Sequence, residues 1–286
     1  MTQPLIFAST DLAARIESAE CDLLLASARS GDMGTDAPLV LEVGSGVAIY
    51  AGEESPLNKV AGVGFDGPLH PEVLEAVETM YAEAGVPVQV ELATLAHASI
   101  APLLTARGYR VVGFENVMGT ELPTRLEPAP DVPDLSVEPL MGSTREFEDW
   151  LDVLVSGFSA PDDQGVPSHE SFEVDAIRRV LGQQARANGM RCYLARRAGD
   201  VAGGASMRIG QGVAHLCGAA TRVEHRRRGV QRALLHRRLV DAAESGCDLA
   251  VVTTLPGSTS QKNVQSSGFE LLYARVILLF DPEHRT

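Results

Sequence analysis

The chain has 286 residues, 45% of them apolar, and a mean hydropathy of +0.02. That excludes a largely disordered chain and is enough for two ordinary domains. No run of about 18 apolar residues occurs, so no membrane span is expected. The formal charge is −14, and it is uneven: residues 1–125 carry 6 basic and 17 acidic groups, and the remainder carries 18 and 21. An acidic first half repels nucleic acid and anionic lipid, so neither is expected as a partner.

The first residues carry acids and lack a basic start followed by an apolar core, so no secretion signal is expected and a cytoplasmic location is. The cysteines (Cys21, Cys192, Cys217, Cys247) form no C-x-x-C pair. They read as free thiols, with neither a metal site nor a disulfide framework. Gly44-Ser45-Gly46 reads as a strand-edge turn, since a dinucleotide fingerprint needs a third glycine and a helix. A helix is expected over 71–85 and a buried strand over 86–92. The stretch 123–139 has five prolines and no helical period, which marks a connector. The expected division is a first domain over 1–125, a linker over 126–139 and a second domain over 140–286.

In the second half, Phe147, Trp150, Leu151, Leu154 and Val155 share one face of a helix over 145–157. A turn-rich loop (159–168) and a helix (169–188) follow. Strands are expected over 191–197, 201–209 and 212–221, with Arg-Ala-Gly-Asp at 197–200 as the first hairpin turn and Gly199 and Asp200 as its favoured residues. Then comes Thr221-Arg-Val-Glu-His-Arg-Arg-Arg-Gly-Val-Gln-Arg, a short Arg/Gly loop before a helix beginning at about Val230. A helix N-terminus with free N–H groups, a glycine and arginines suits a phosphate or pyrophosphate.

The two halves repeat at an offset of 160. Thr94, Leu95, Gly108 and Tyr109 fall on Thr254, Leu255, Gly268 and Phe269 without a gap. Each copy is preceded by a helix ending in glycine and a buried strand. The first copy lacks the Arg/Gly loop, and its helix opens with Pro71, Glu72 and Glu75, which repel phosphate.

Arg226-Arg-Arg-Gly-Val-Gln231, with Ser260-x-x-Asn263 before Ser267-Gly-Phe269, resembles the acyl-CoA loop and last helix and strand of GNAT-type N-acetyltransferases. The resemblance covers about 136–280, and by the repeat 40–122 as a degenerate copy. It implies an α/β (α+β) fold of two GNAT-like domains, each a mixed, mostly antiparallel twisted sheet flanked by helices. It implies acetyl-CoA as co-substrate, no metal, and transfer of acetyl to a primary amine of a small molecule or peptide by direct attack. Ala219, Ala220 and Thr221 fall where the family's strand splays from its neighbour and meets pantetheine. Arg227, Arg228, Gly229, Val230, Gln231 and Arg232 supply the pyrophosphate-binding amides, and Asn263 is a further cofactor contact or a helix-surface amide. Two departures stand out: Gln231 replaces a glycine or alanine, and Val264 replaces the tyrosine that many members use as general acid.

Acetyl transfer needs an uncharged amine and hence a base. Glu224 is a candidate base or a solvated turn carboxylate. Tyr273 is a candidate substitute acid or a core tyrosine. His215 and Cys217 alternate on one strand face, toward an acceptor cleft or the core. A non-catalytic acyl-CoA-binding or sensing module is the alternative function. A nucleotide triphosphatase is excluded by the lack of G-x-x-x-x-G-K-[ST]. The acceptor's identity and the oligomeric state are not specified by these residues.

Overall fold

The computed structural model describes residues 6–31, 37–122, 132–159, 165–168 and 171–281. Helix α1 (Thr10–Arg29) begins where the Ser9 hydroxyl accepts the Leu12 N–H at 3.1 Å. That is an N-cap, which satisfies an amide the helix cannot. The hairpin β1 (Leu39–Val43) and β2 (Gly46–Tyr50) follows, its register leaving Gly44-Ser45 as the turn. Then come β3 (Lys59–Ala61), α2 (Pro71–Glu83), β4 (Val88–Ala93), α3 (Ile100–Ala106) and β5 (Arg110–Glu121). The second half has β6 (Leu135–Pro139), α4 (Thr144–Phe158), α5 (Val174–Arg186), β7 (Met190–Arg197), β8 (Asp200–Gly210), β9 (Val213–His215) and β10 (Ala219–Thr221). A 3-10 turn (Val223–His225), α6 (Val230–Glu244), β11 (Leu249–Thr254), α7 (Thr259–Gln265) and β12 (Glu270–Phe280) complete it.

The strands form one sheet in the order β1-β2-β3-β4-β12-β5-β11-β9-β8-β7-β6, with β10 paired to β8 beside this path. Among the described strands only β3·β4 and β9·β11 pair in parallel, at equivalent places in the two halves. The sheet is therefore mixed and mostly antiparallel, as expected. The last strands of the halves cross over: β12 lies between β4 and β5, and β5 lies between β12 and β11. The repeat elements thus share one hydrogen-bonded sheet.

Alternation along the strands assigns the helices to faces. Val47, Ile49 and Ala61 pack with α1 and Val180 of α5, whereas Ala48 and Val60 pack with α2 and α3. Val213 lies with α1, and the adjacent Ala214 lies with α6. So α1, α4 and α5 cover one face, and α2, α3 and α6 cover the other.

Several elements differ from their sequence-based expectations. The last five residues of the proline-rich stretch form edge strand β6, where a proline costs no ladder bond; residues 123–131 lie outside the described ones, as do 160–164 and 169–170 of the expected loop and helix. The hairpin turn expected at 197–200 is present, with Ala198 and Gly199 at its centre, both at positive φ. That matches a two-residue turn closed by the Arg197–Asp200 pair. The strand expected over 212–221 is two strands, and the break between them forms the site.

Candidate active site

Strand β9 bonds to β8 on one side and to β11 on the other. The last bond to β11 runs from the Leu216 N–H to the Val251 carbonyl at 2.8 Å. Beyond it β10 pairs with β8 alone, through Ala219–Ala205, Ala220–Gly204 and Thr221–Gly203. A wedge therefore opens between β10 and β11, with its apex at His215 and Leu216.

Side chains hold the break. The Ser206 N–H donates to the Gly218 carbonyl at 3.0 Å and, at 3.3 Å, to that of Cys217. Arg238, on α6 and 3% exposed, donates through Nη1 to the carbonyls of Ser206 at 3.1 Å and Cys217 at 3.4 Å. Burial pushes its guanidinium down to about 10, so it stays charged at neutral pH. A buried cation aimed at carbonyls keeps these acceptors satisfied. On the other face α4 presses close: a Cβ at Gly157 would overlap the Ala220 side chain. The Trp150 indole N–H donates to the Ala205 carbonyl at 3.0 Å, tying α4 to β8.

The loop after β10 turns sharply into α6. Arg227 sits at φ +59 and Gly229 at φ +80, a left-handed conformation that favours glycine. A side chain at Gly229 would also meet Val132 Cγ2 at 2.7 Å. Helix α6 begins at Val230 with no side-chain cap. The N–H groups of Arg227, Arg228, Gly229, Val230, Gln231 and Arg232 donate no well-formed hydrogen bond among the described residues. Arg226, Arg227, Arg228 and Arg232 are exposed around them. Two buried hydroxyls at the ends of the wedge strands, Thr221 Oγ1 and Thr254 Oγ1, are also without a partner among the described residues. Buried polar atoms are normally satisfied, so their orphaning marks a place for a polar ligand or water. Thr254 carried no signal in the sequence beyond its place in the repeat.

The other expected residues fall as follows. Ala219, Ala220 and Thr221 line the wedge as β10. Gln231 is half-buried in the first turn of α6, and Asn263 is exposed on α7. Val264 is buried in the core beside Phe269. Glu224 is exposed in the 3-10 turn. Tyr273 is buried, and its hydroxyl donates to Glu17 Oε1 at 2.7 Å. Burial, followed by the Glu17 charge, pushes that hydroxyl well above its usual range. This makes it a poorer acid than a free tyrosine.

Glu17 belongs to a charged cluster that the sequence did not reveal. Arg275, 1% exposed, donates from Nε to Glu17 Oε1 at 2.8 Å. Its other nitrogens reach Glu20 at 3.7 Å, Glu91 at 3.5 Å and Glu115 at 3.8 Å. Lys59 pairs with Glu91, and His215 Nδ1 lies 3.1 Å from Glu20 Oε2. Burial opposes the charge on Glu20, but Arg275 and the His215 hydrogen bond hold its carboxyl well below the usual range. Burial pushes Glu17 up against the pull of Arg275, and burial with Glu91 nearby pushes Glu115 up to about 8. The cluster lies under α1 and reaches the wedge apex at His215. No group of three or more metal-ligating side chains occurs among the described residues, and none of their helices is long and apolar enough to cross a membrane.

Residues 149–269 match the Acetyltransferase (GNAT) family, a span holding the wedge, the Arg/Gly loop and α6. No protein with a curated description is matched. The chain is similar in structure to a GCN5-related N-acetyltransferase from Kribbella flavida, with a TM-score of 0.70 at 20% identity, over 96% of this chain and 97% of that one. It is similar to a tandem GNAT protein from the clavulanic acid biosynthesis pathway, with a TM-score of 0.61 at 14% identity, over 94% and 93%. A GCN5-related N-acetyltransferase from Sphaerobacter thermophilus gives 0.56 at 17% identity, over 85% and 75%. At these identities the likeness is one of fold.

The chain thus carries a GNAT acetyltransferase domain in its second half. The chain is an acyltransferase.

Proposed function

We propose that the second half binds acetyl-CoA in the β10–β11 wedge and transfers its acetyl group to a primary amine of a small molecule or peptide by direct attack. The observation that carries this is the run of amides from Arg227 to Arg232, at the mouth of the wedge, that donate no well-formed hydrogen bond among the described residues. Six N–H groups, a helix N-terminus and exposed arginines suit a diphosphate. The wedge strands offer unpaired backbone and the Thr221 and Thr254 hydroxyls to an amide-bearing arm. Gln231 keeps its N–H, so its side chain does not remove the site.

Among its described residues the first half has no Arg/Gly loop before a helix, and we assign it no acyl-CoA. The Gly64 carbonyl accepts the His97 N–H at 2.7 Å, which stitches β3's extension to the segment after β4. Its α2 starts at Pro71, which has no N–H to give, with Glu72 in the first turn. We read the chain as a tandem of GNAT-like units over 1–125 and 140–286 sharing strands β5 and β12. Its four free cysteines, two of them buried, suit a reducing cytosol.

Thiol release from acetyl-CoA over a panel of primary amines tests the reading. Acetyl-CoA-dependent thermal stabilisation with turnover of at least one amine supports it. A second reading, a non-catalytic acyl-CoA-binding or sensing protein, is favoured by one observation: Val264 is buried in the core where a tyrosine acid would stand. Stabilisation by acetyl-CoA without thiol release for any amine selects it. No stabilisation at all contradicts both.

A further inference from the structure

The geometry points to His215 as the catalytic base for this reaction, acting through Nε2, with Glu20 as its positioning residue. The inference rests on the acyl-transfer reading above and goes beyond it by assigning the proton acceptor.

His215 is the last residue of β9, at the register position facing Val251, immediately before the final bond to β11. An arm lying in the wedge with its diphosphate at Arg227–Arg232 therefore ends its reach beside His215. The imidazole points to the α1 face, since Val213 two residues earlier packs there and Ala214 packs against α6. It is nine-tenths buried, with 8% of its side chain exposed.

Its two nitrogens differ in kind. Nδ1 faces Glu20 Oε2 at 3.1 Å, and Arg275 keeps that carboxylate ionised. An ionised carboxylate accepts only, so Nδ1 carries a hydrogen, and in the neutral ring the lone pair is on Nε2. Nε2 is buried and has no partner among the described residues. A lone pair at the apex, backed by a fixed carboxylate, is the arrangement of an oriented base. Glu224 has no such arrangement: it is exposed in the turn beyond β10.

Nε2 takes one proton from the acceptor's ammonium, and the freed lone pair forms the N–C bond to the thioester carbon. The C–S bond breaks, and the proton still in excess on nitrogen passes to the departing thiolate. The imidazolium returns its proton to solvent. The charged groups about His215 are Glu20 from α1, whose carboxylate Arg275 from β12 also reaches, and Arg208, its register partner on β8; the β11 residue opposite, Val251, is apolar.

The test combines three readouts. With the best amine of the panel, His215→Asn and His215→Gln should each lower kcat by at least about 100-fold while keeping the thermal stabilisation by acetyl-CoA. Glu20→Gln should move the acidic limb of the kcat/KM profile to lower pH, because the imidazolium loses its carboxylate. In the wild-type protein, 15N-histidine NMR should show the neutral His215 ring protonated at Nδ1 and bare at Nε2. Should no amine turn over, this tautomer decides alone. Near-full kcat in a stabilised His215 variant, loss of kcat in Glu224→Gln instead, an unmoved pH limb in Glu20→Gln, or a proton on Nε2 overturns the assignment. Loss of acetyl-CoA stabilisation by the wild-type protein overturns the acyl-CoA reading itself.

Discussion

Arg275 and Glu115 occupy the same place in the two halves and face each other in register across the β12–β5 pair. They are 160 positions apart, the offset of the sequence repeat. The local symmetry axis of the repeat therefore passes between them, and the guanidinium and the carboxylate lie 3.8 Å apart on it. Equivalent positions have taken opposite charges. Around this pair α1 and β4 contribute Glu17, Glu20 and Glu91, so one arginine is shared by four carboxylates.

Removing that arginine should be costly. Arg275→Met leaves buried carboxylates without their cation, and breaking a buried pair typically costs about 3–5 kcal/mol. Chemical denaturation at pH 7 should show a loss of that order. A change below about 1 kcal/mol would contradict the geometry.

Glu115 gives the opposite sign. Its folded-state value is raised to about 8, so between about pH 4.5 and 8 the folded chain holds a proton the unfolded chain releases. Stability from this group is full below that window and declines as pH rises through it. Glu115→Gln should flatten this decline and raise Tm at about pH 8. Glu20 runs the other way: its lowered value means its contribution is present above the usual carboxylate range and disappears on acidification through the folded value. Thermal melts across pH, compared between wild type and Glu115→Gln, check this; a steeper decline in the variant contradicts it.

The Arg/Gly loop, the start of α6 and the repeat were legible because they depend on local chemistry and fixed spacing. Gly229 announces its positive φ, and Pro71 announces a helix start. The charged cluster was illegible for the converse reason. Its members come from α1, β3, β4, β5, β9 and β12, and a single charge in a strand reads as an exposed face until the strand order is known. The crossing of β5 and β12 was hidden too, because pairing between last strands has no sequence signature. Gly157 inside a helix and Arg238 in a basic helix look unremarkable until β10 and the Cys217 carbonyl are placed against them.

Gly157→Val should test whether α4 sets the wedge. The new side chain must displace Ala220 or the helix. Overpacking of this kind costs about 1–3 kcal/mol, and here it moves the strand that lines the wedge. Acetyl-CoA affinity should fall by more than about 10-fold, which corresponds to 1.4 kcal/mol. Unchanged affinity in calorimetry would mean that β10 does not line the site.

Gly229→Ala should weaken both fold and binding. A Cβ at φ +80 costs roughly 1 kcal/mol, and contact with Val132 adds to it. The amide run would shift, so the Tm increase on adding acetyl-CoA should shrink or vanish. An increase equal to that of the wild type would place the diphosphate elsewhere.

Arg227→Ala with Arg228→Ala should lower acetyl-CoA affinity at low salt and reduce its salt dependence, since exposed charges act through a screened field. The fold should be unaffected, as both side chains are exposed. Affinity measured at two ionic strengths checks this, and an unchanged salt slope contradicts it.

The most direct measurement is a crystal structure of the chain with acetyl-CoA. We expect one molecule per chain, its diphosphate on the N–H groups of Arg227–Arg232 and its thioester at the wedge apex beside His215. Density for the diphosphate at the start of α2, or a thioester remote from the β10–β11 opening, would contradict it.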